Sequence, residues 1–135
     1  TLPIGEAAVE RSGDDVTVVA TQVQLWNALE AAEQLSSEGI SVEVVSPRTI
    51  DPLDIETIAE SVRKTRRCVV VDETPLLLGT QSELAAQITE RTFFDLDFPV
   101  QRLGVDNVPV PFSPPLEDEV VPSTEDIMDS VRRLS

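Results

Sequence analysis

The stretch SVEVVSPRTIDPLDIETI, residues 41–58, decides the fold class of this chain. It opens with Ser41–Val45, a β-branched apolar run that is typical of a strand buried in a parallel sheet. In the turn that follows, Asp51 can cap a helix, Pro52 suits its first position and Asp54 its positive first turn. Apolar residues then recur with the spacing i, i+3, i+4 and i+7, at Ile55, Ile58, Ala59 and Val62. A strand that leads through a capped turn into an amphipathic helix predicts one unit of an α/β fold.

The same alternation of strand and helix extends along the chain. Valine-rich strands are predicted at Val16–Ala20, Ser41–Val45 and Cys68–Val71, with a weaker fourth strand at Pro99–Leu103. Further apolar stripes predict helices, and they consist of Leu25, Leu29, Ala32 and Leu35 (ended by Gly39), of Leu84, Ala85 and Ile88, and of Ile127, Val131 and Leu134. Glu6–Arg11, which the turn SGDD follows, predicts a short antiparallel edge strand. We therefore expect a mostly parallel sheet covered by helices on both faces.

The composition limits the function classes that this chain can serve. Its 135 residues are 41% hydrophobic, enough for one compact domain over residues 1–135. The formal charge is −15, and a field this negative repels phosphate backbones, so nucleic acid is not an expected partner. Lys64 is the only lysine beside nine arginines. A surface rich in carboxylates and nearly free of lysine keeps a protein soluble in concentrated salt. Because the chain also shows no membrane-spanning stretch and no signal-peptide pattern, we expect a protein of a salt-adapted prokaryotic cytoplasm.

The residue types that usually carry catalysis are scarce. The chain has no histidine, and its one cysteine, Cys68, heads an apolar run and is expected to be a small buried hydrophobe. Asp72 and Glu73, which end the third strand, could bind a metal or act as acid and base, although polar strand ends are common without either role. Thr80 and Glu83 have capping-box spacing, which leaves no free helix terminus for a phosphate. We therefore predict no catalytic, cofactor-binding or metal-binding residue within the chain.

Several other features suggest contacts with partners. Arg48 lies just past a strand's carboxyl end, where α/β sheets place ligands, and an ion pair with a neighbouring carboxylate explains it equally well. Leu76, Leu77 and Leu78 are consecutive in a loop and predict a subunit interface. Trp26 is predicted to lie in the core or an interface. Residues 104–122 hold five prolines and several large apolar side chains, which predicts an ordered, packed loop.

The order of the segments DVTVVA, SVEVVSPRTIDPLDIETI, VVVDETP and VPVPFSPPLEDEVVPSTEDI resembles the C-terminal domain of the transketolase family. Within that family it is most similar to the beta subunit of the decarboxylating component of 2-oxo acid dehydrogenase complexes, either pyruvate or branched-chain. The resemblance implies a three-layer α/β/α domain with a mixed five-stranded sheet whose first strand is antiparallel. It also implies a fragment of a longer chain. The alternatives are a deoxyxylulose-phosphate synthase or transketolase, and a free-standing interaction module.

The resemblance further implies roles and partners. The parent enzyme would use thiamine diphosphate and Mg²⁺ to decarboxylate a 2-oxo acid and pass its acyl group to lipoamide. This domain would build contacts with the alpha subunit and a second beta subunit of an α2β2 assembly, for which Arg48 and Leu76–Leu78 are the candidates. Family members usually carry a glycine-rich loop where this chain has Leu76–Gln81.

The resemblance also implies a docking site. Beta subunits would bind the basic subunit-binding domain of the dihydrolipoyl acyltransferase through an acid in a Leu-Asp-x-Pro turn and through the end of the chain. The turn Leu96-Asp97-Phe98-Pro99 matches that pattern. It nominates Asp97, together with the carboxylate of Ser135, as docking groups.

Overall fold

A computed structural model of the chain describes residues 6–50, 52–105 and 121–135. The strands in these ranges are β1 (Ala8–Arg11), β2 (Val16–Ala20), β3 (Val42–Ser46), β4 (Cys68–Pro75) and β5 (Gln101–Val105). The helices are α1 (Leu25–Ser36), which a 3-10 turn at Gln22–Gln24 precedes, α2 (Ile55–Thr65), α3 (Thr80–Thr92) and α4 (Thr124–Leu134). Strands and helices alternate as the sequence predicts.

The strands form one sheet in the order β1-β3-β2-β4-β5. β1 pairs with β3 in antiparallel fashion and the other pairings are parallel, so the predicted mixed sheet with an antiparallel first strand is confirmed. Central β2 places Val18 opposite Val44 on one side and opposite Val69 on the other. Because β2 to β5 run the same way, their C-terminal ends share one edge of the sheet, the carboxyl edge, and their N-terminal ends share the amino edge.

Helices cover both faces of the sheet. Helices α1 and α4 pack on one face, over the alternating residues Val16, Val18 and Ala20 of β2. On the opposite face α2 and α3 pack over Val19 and Cys68. Cys68 is fully buried, as predicted, and burial raises the pKa of its thiol far above the usual range. No helix within the described ranges is both long and apolar enough to cross a membrane.

The start of α2 differs from the sequence prediction. The capping residue is Asp54, not Asp51, which lies outside the described residues. The carboxylate of Asp54 accepts hydrogen bonds from the backbone N–H of Thr57 at 3.2 Å, from its hydroxyl at 2.6 Å, and from the N–H of Ala7 at 3.0 Å. These bonds, the one from the Thr57 side chain foremost, lower the pKa of Asp54. A single acid thus caps the helix and ties down the chain that enters β1.

The start of α3 also departs from its prediction, whereas the start of α4 confirms one. Gly79 is the N-cap of α3, and the N–H of Thr80 donates to the hydroxyl of Thr74 at 3.1 Å, so the predicted capping box of Thr80 and Glu83 is wrong. The acceptor comes from the preceding strand, which sequence spacing within the helix cannot reveal. At α4 the predicted cap is confirmed as a reciprocal capping box, formed by Ser123 and Asp126.

Strand boundaries shift by a few residues from the predicted ones. β1 starts at Ala8 instead of Glu6, and β3 ends at Ser46 instead of Val45. β4 runs on to Pro75, which pairs with Val105, the last residue of β5. The predicted proline-rich loop at residues 104–122 overlaps the end of β5, and its part from 106 to 120 lies outside the described residues.

Candidate functional site

The carboxyl edge of the sheet carries a network of polar side chains at the end of β4. Asp72 is buried, and its carboxylate accepts hydrogen bonds from the hydroxyl of Thr21, which follows β2, and from the hydroxyl of Thr74 at 2.8 Å. Glu73, the other half of the carboxylate pair, accepts a hydrogen bond at Oε1 from Nε2 of Gln24 at 3.0 Å. These bonds account for both carboxylates as joints between strand ends.

A fully buried glutamine extends this network into α3. Gln81 Nε2 donates to the backbone carbonyl of Thr74 at 2.8 Å, and the Thr74 hydroxyl contacts Gln81 Oε1. The side chain fits because residue 104 is glycine, since a Cβ on Gly104 would lie 1.7 Å from Gln81 Nε2. Gly79 is equally restricted, because its Cβ would lie 1.9 Å from the carbonyl oxygen of Pro75. These contacts fix the loop between β4 and α3.

A second buried glutamine connects the carboxyl edge with α4. Gln24 is fully buried, and its Nε2 donates to the carbonyl of Pro122 at 3.0 Å as well as to Glu73. Asn27 Nδ2 donates to Gln24 Oε1 at 3.2 Å. One side chain therefore holds together the 3-10 turn, the end of β4 and the start of α4.

On this fixed base the carboxyl edge exposes large apolar side chains. We call Val23, Trp26, Leu77 and Leu78 the leucine surface. Leu78 is 94% exposed and Trp26 is 76% exposed, so Trp26 does not lie in the core of this domain. Leu78 also has φ 61°, a left-handed conformation that costs leucine about 1 kcal/mol or more. Exposure and backbone strain therefore coincide at this residue.

Leu76 and Arg48, the other candidates at this edge, have hydrogen-bond or ion-pair partners within the chain. Leu76 is half-buried, its N–H donates to the carbonyl of Val105 at 3.0 Å, and its own carbonyl accepts from the Ser82 hydroxyl at 2.6 Å. Arg48 has φ 63°, and its Nη2 lies 3.7 Å from Oε1 of Glu10, which corresponds to the ion-pair alternative for this residue. Arg48 and Leu76–Leu78 thus lie at the same edge, after β3 and β4 respectively.

The two predicted docking residues lie at the opposite, amino edge. Asp97 Oδ1 accepts a hydrogen bond from Arg66 Nε at 3.1 Å, and Asp97 Oδ2 lies 3.9 Å from Arg67 Nη2. Ser135 follows α4 and is exposed, with its hydroxyl donating to the carbonyl of Val131 at 3.2 Å. Asp97 belongs to the layer of α2 and α3, and Ser135 to the layer of α1 and α4. The two residues are therefore on different faces of the sheet.

Side chains bond to the first N–H groups of two helices at the carboxyl edge. Asp54 accepts from the N–H of Thr57 in α2, and the Thr74 hydroxyl accepts from the N–H of Thr80 in α3. Within residues 6–50, 52–105 and 121–135, no group of three acidic or sulfur ligands is placed to hold a metal ion.

Sequence reasoning misses the network that builds the carboxyl edge. It does not single out Gln24, Thr74 or Gln81, because glutamine and threonine side chains are mostly exposed to solvent. A usable signal is present in Gly104, since a glycine inside a strand pattern indicates that another group approaches closely.

Comparison with known proteins agrees with this architecture. The profile of the family described as "Transketolase, C-terminal domain" matches residues 5–127. The chain belongs to the transketolase C-terminal domain family. It is 46% identical over 132 residues to the pyruvate dehydrogenase E1 component subunit beta-1, mitochondrial, of Arabidopsis thaliana, covering 98% of this chain and 36% of that protein. It is 41% identical over 128 residues to the acetoin:2,6-dichlorophenolindophenol oxidoreductase subunit beta of Bacillus subtilis, covering 95% of this chain and 37% of that protein.

A solved structure supports membership in the transketolase C-terminal domain family. The split gene transketolase, determined as an inactive beta4 tetramer, superposes with a TM-score of 0.81 at 30% sequence identity. The match covers 98% of this chain and 42% of that chain. This chain therefore spans less than half the length of these relatives.

Proposed function

We propose that this chain is the assembly domain of the beta subunit of a thiamine-diphosphate-dependent 2-oxo acid dehydrogenase. The parent enzyme decarboxylates pyruvate or a branched-chain 2-oxo acid and passes the acyl group to lipoamide, with cofactor and Mg²⁺ held outside this domain. The beta subunits among the relatives support this assignment, and the beta4 tetramer of the solved neighbour supports a role in assembly. The single observation that supports the assembly role is the exposure of Leu78, whose side chain extends into solvent from a fixed loop.

Subunit assembly tests this proposal directly. We expect Leu78→Asp in the natural full-length beta subunit, co-expressed with its alpha subunit, to separate the two in size-exclusion chromatography with light scattering. The physical reason is that burying a carboxylate in an apolar contact is strongly unfavourable. The matched control is Gln34→Asp, which adds the same carboxylate at an exposed position on α1 and should leave the complex intact. An intact complex with Leu78→Asp would contradict the assembly role.

We propose Asp97 and the carboxylate of Ser135 as the groups that meet the basic subunit-binding domain of the acyltransferase. Asp97 already pairs with Arg66 and Arg67, so a basic partner must compete with both arginines for this carboxylate. Removing Arg66 should therefore strengthen docking, whereas Asp97→Lys should weaken it by like-charge repulsion.

Calorimetric titration of the full-length assembly with the isolated basic domain at low salt measures both effects. If Asp97 only anchors Arg66 within the fold, Arg66→Ala and Asp97→Lys will lower the melting temperature and leave the affinity for the basic domain unchanged. That outcome would remove Asp97 from the docking site.

We also propose a salt-adapted prokaryotic cytoplasm as the setting of this protein, on the basis of its −15 charge and single lysine. Salt screens repulsion between surface carboxylates, so the melting temperature should rise steadily from low to molar KCl. A melting temperature that is highest at low salt would contradict this assignment.

A further inference from the structure

Leu76 leads into the leucine surface, and both of its backbone polar groups bond to the edge strand β5. Its N–H donates to the carbonyl of Val105 at 3.0 Å, and its carbonyl accepts a hydrogen bond from Nη1 of Arg102 at 3.2 Å. Arg102 and Val105 both belong to β5, the last strand in the order of the sheet. The start of the loop between β4 and α3 is therefore fixed to the edge of the sheet.

Ser82 completes a closed set of three hydrogen bonds around the Leu76 carbonyl. The Ser82 hydroxyl donates to that carbonyl at 2.6 Å and accepts from Nη1 of Arg102, also at 2.6 Å. The carbonyl oxygen thereby uses both of its lone pairs, one toward the serine and one toward the guanidinium. We call Arg102 and Ser82 the carbonyl clamp, because each of them bonds to the other and to the same backbone oxygen.

The far end of the same loop is fixed as well. Gly79 is the N-cap of α3, and the N–H of Thr80 donates to the hydroxyl of Thr74 at 3.1 Å. Leu77 and Leu78 form the turn between the two fixed ends, and Leu78 has φ 61°, a conformation that glycine adopts far more readily than leucine. A strained conformation of this kind persists only when the surrounding structure holds it. The carbonyl clamp and the start of α3 supply that constraint.

The bonding partners of Arg102 set it apart from most arginines of this chain. The chain has 25 acidic residues, and seven other arginines in the described ranges pair with carboxylates. Arg102 donates to a hydroxyl and to a backbone carbonyl, which are both neutral. Because a guanidinium is planar and always charged, it holds two acceptors in one defined geometry. Arg102 thus fixes the shape of a loop.

We propose that Arg102 is a positioning residue of the leucine surface. Through Ser82 and the Leu76 carbonyl it holds Leu78 in the left-handed conformation from which the leucine side chain extends into solvent. Arg102 acts without touching the partner itself. This inference deepens the proposed function, on which it rests for the identity of the partner, the alpha subunit. It makes the affinity for that subunit depend on the shape of the loop as well as on its apolar side chains.

Variants of the full-length beta subunit, titrated with the alpha subunit, test the carbonyl clamp. Arg102→Met removes both guanidinium bonds, and Ser82→Ala removes the hydroxyl without changing the charge. Each should raise the dissociation constant about tenfold, because Leu78 is then free to leave its strained conformation. Arg102→Lys, which keeps the charge and the donors, should restore most of the affinity. The matched control is Arg91→Met, made at an arginine that pairs with Glu56, which should leave the affinity unchanged.

A double-mutant cycle separates positioning from direct contact. If Arg102 acts through Leu78, Arg102→Met should cause no further loss of affinity in a subunit that already carries Leu78→Gly. If Arg102 instead binds an acid of the alpha subunit, its loss will weaken binding equally in both backgrounds, and Ser82→Ala will have no effect. Either of these last two results would overturn the inference.

Hydrogen exchange of the full-length beta subunit alone gives a readout that does not depend on the alpha subunit. Arg102→Met and Ser82→Ala should accelerate amide exchange several-fold in the peptide from Leu76 to Thr80, whereas Arg91→Met should not. Unchanged exchange in both variants would contradict the clamp, whatever the assembly shows. If the wild-type beta subunit binds no alpha subunit, the proposed function fails, while the exchange rates still decide whether Arg102 holds the loop.

Discussion

At the carboxyl edge, Leu78 is 94% exposed and its own backbone has φ 61°. At the amino edge, Phe94 is 92% exposed and follows Phe93, whose φ of −50° is ordinary for a helix. The leucine surface therefore carries a cost in backbone strain that the region of Phe94 does not. Their surroundings differ as well, because Asp72 and Glu73 bond to hydroxyl and amide groups, while the acids near Phe94 pair with arginines. Two exposed apolar regions of one small domain thus differ in backbone strain and in the groups that bond to their nearby acids.

The largest loss of stability is expected at Gly79, which holds the loop under the leucine surface. A Cβ on Gly79 would lie 1.9 Å from the carbonyl oxygen of Pro75 and 2.8 Å from the Thr74 hydroxyl. We expect Gly79→Ala to lower the free energy of unfolding by about 3 kcal/mol, measured by urea denaturation.

The control for Gly79→Ala is another glycine that lacks close neighbours. Gly39 has φ +82°, and a Cβ there would meet nothing within 4 Å. Gly39→Ala should cost about 1–2 kcal/mol, the strain of a left-handed alanine, and so less than Gly79→Ala. Equal losses at the two positions would mean that the loop after β4 yields easily, contrary to the fixed base described above.

A second test concerns Lys64, which lies near the end of α2 and pairs with a buried carboxylate. Its ammonium contacts Glu43, whose side chain is 3% exposed and also bonds to Ser61 and to the N–H of Gly13. Burial alone would raise the pKa of Glu43, yet the bonds from Lys64, Ser61 and Gly13 together lower it. Glu43→Gln should cost about 2 kcal/mol at pH 7, because it removes charge-assisted hydrogen bonds.

The sign of the pH dependence follows from the lowered pKa of Glu43. The stabilisation is fully present above the usual value of 4.5 and is lost as the pH falls through the lower, folded-state value. Urea midpoints of the wild type and Glu43→Gln should therefore converge below pH 4.5. The exposed pair of Glu38 and Arg132 provides the control, since Glu38→Gln should leave the midpoint nearly unchanged at pH 7. A difference for Glu43→Gln that stays constant at low pH would argue against this interpretation.

The fold is predictable from the sequence because its signals are local. Unbroken valine runs, the helical spacing of Ile55 to Val62 and the Ser123 cap are each readable within a few residues, and all are found in the structure. The cap of α2 is misassigned by three residues because Asp51 and Asp54 both suit the role. The bonds of Asp54 with Thr57 identify it as the cap, and its bond with Ala7 joins residues that lie far apart in sequence.

The candidate site is less predictable because it depends on contacts between distant residues. Three consecutive leucines indicate an interface, but nothing local shows that Leu76 is half-buried and Leu78 exposed. That difference arises from bonds of Leu76 to Val105 and Ser82, which lie on other elements. Arg66 and Arg67 likewise reach Asp97 from a distant part of the chain, which no spacing rule anticipates.

The smallest change in stability is expected at Leu78, and its sign separates two explanations of this exposed side chain. Glycine adopts φ 61° without strain, and little apolar contact is lost when a side chain exposed by 94% is removed. Leu78→Gly should therefore leave the unfolding free energy of this chain unchanged or raise it by up to about 1 kcal/mol, while weakening assembly of the full-length subunits. Phe94→Ala is the matched change at the amino edge; it relieves no strain, so it should not stabilise the chain. If Leu78→Gly instead lowers stability and leaves assembly intact, Leu78 serves the fold of its own loop, and the leucine surface loses its strongest support as an interface.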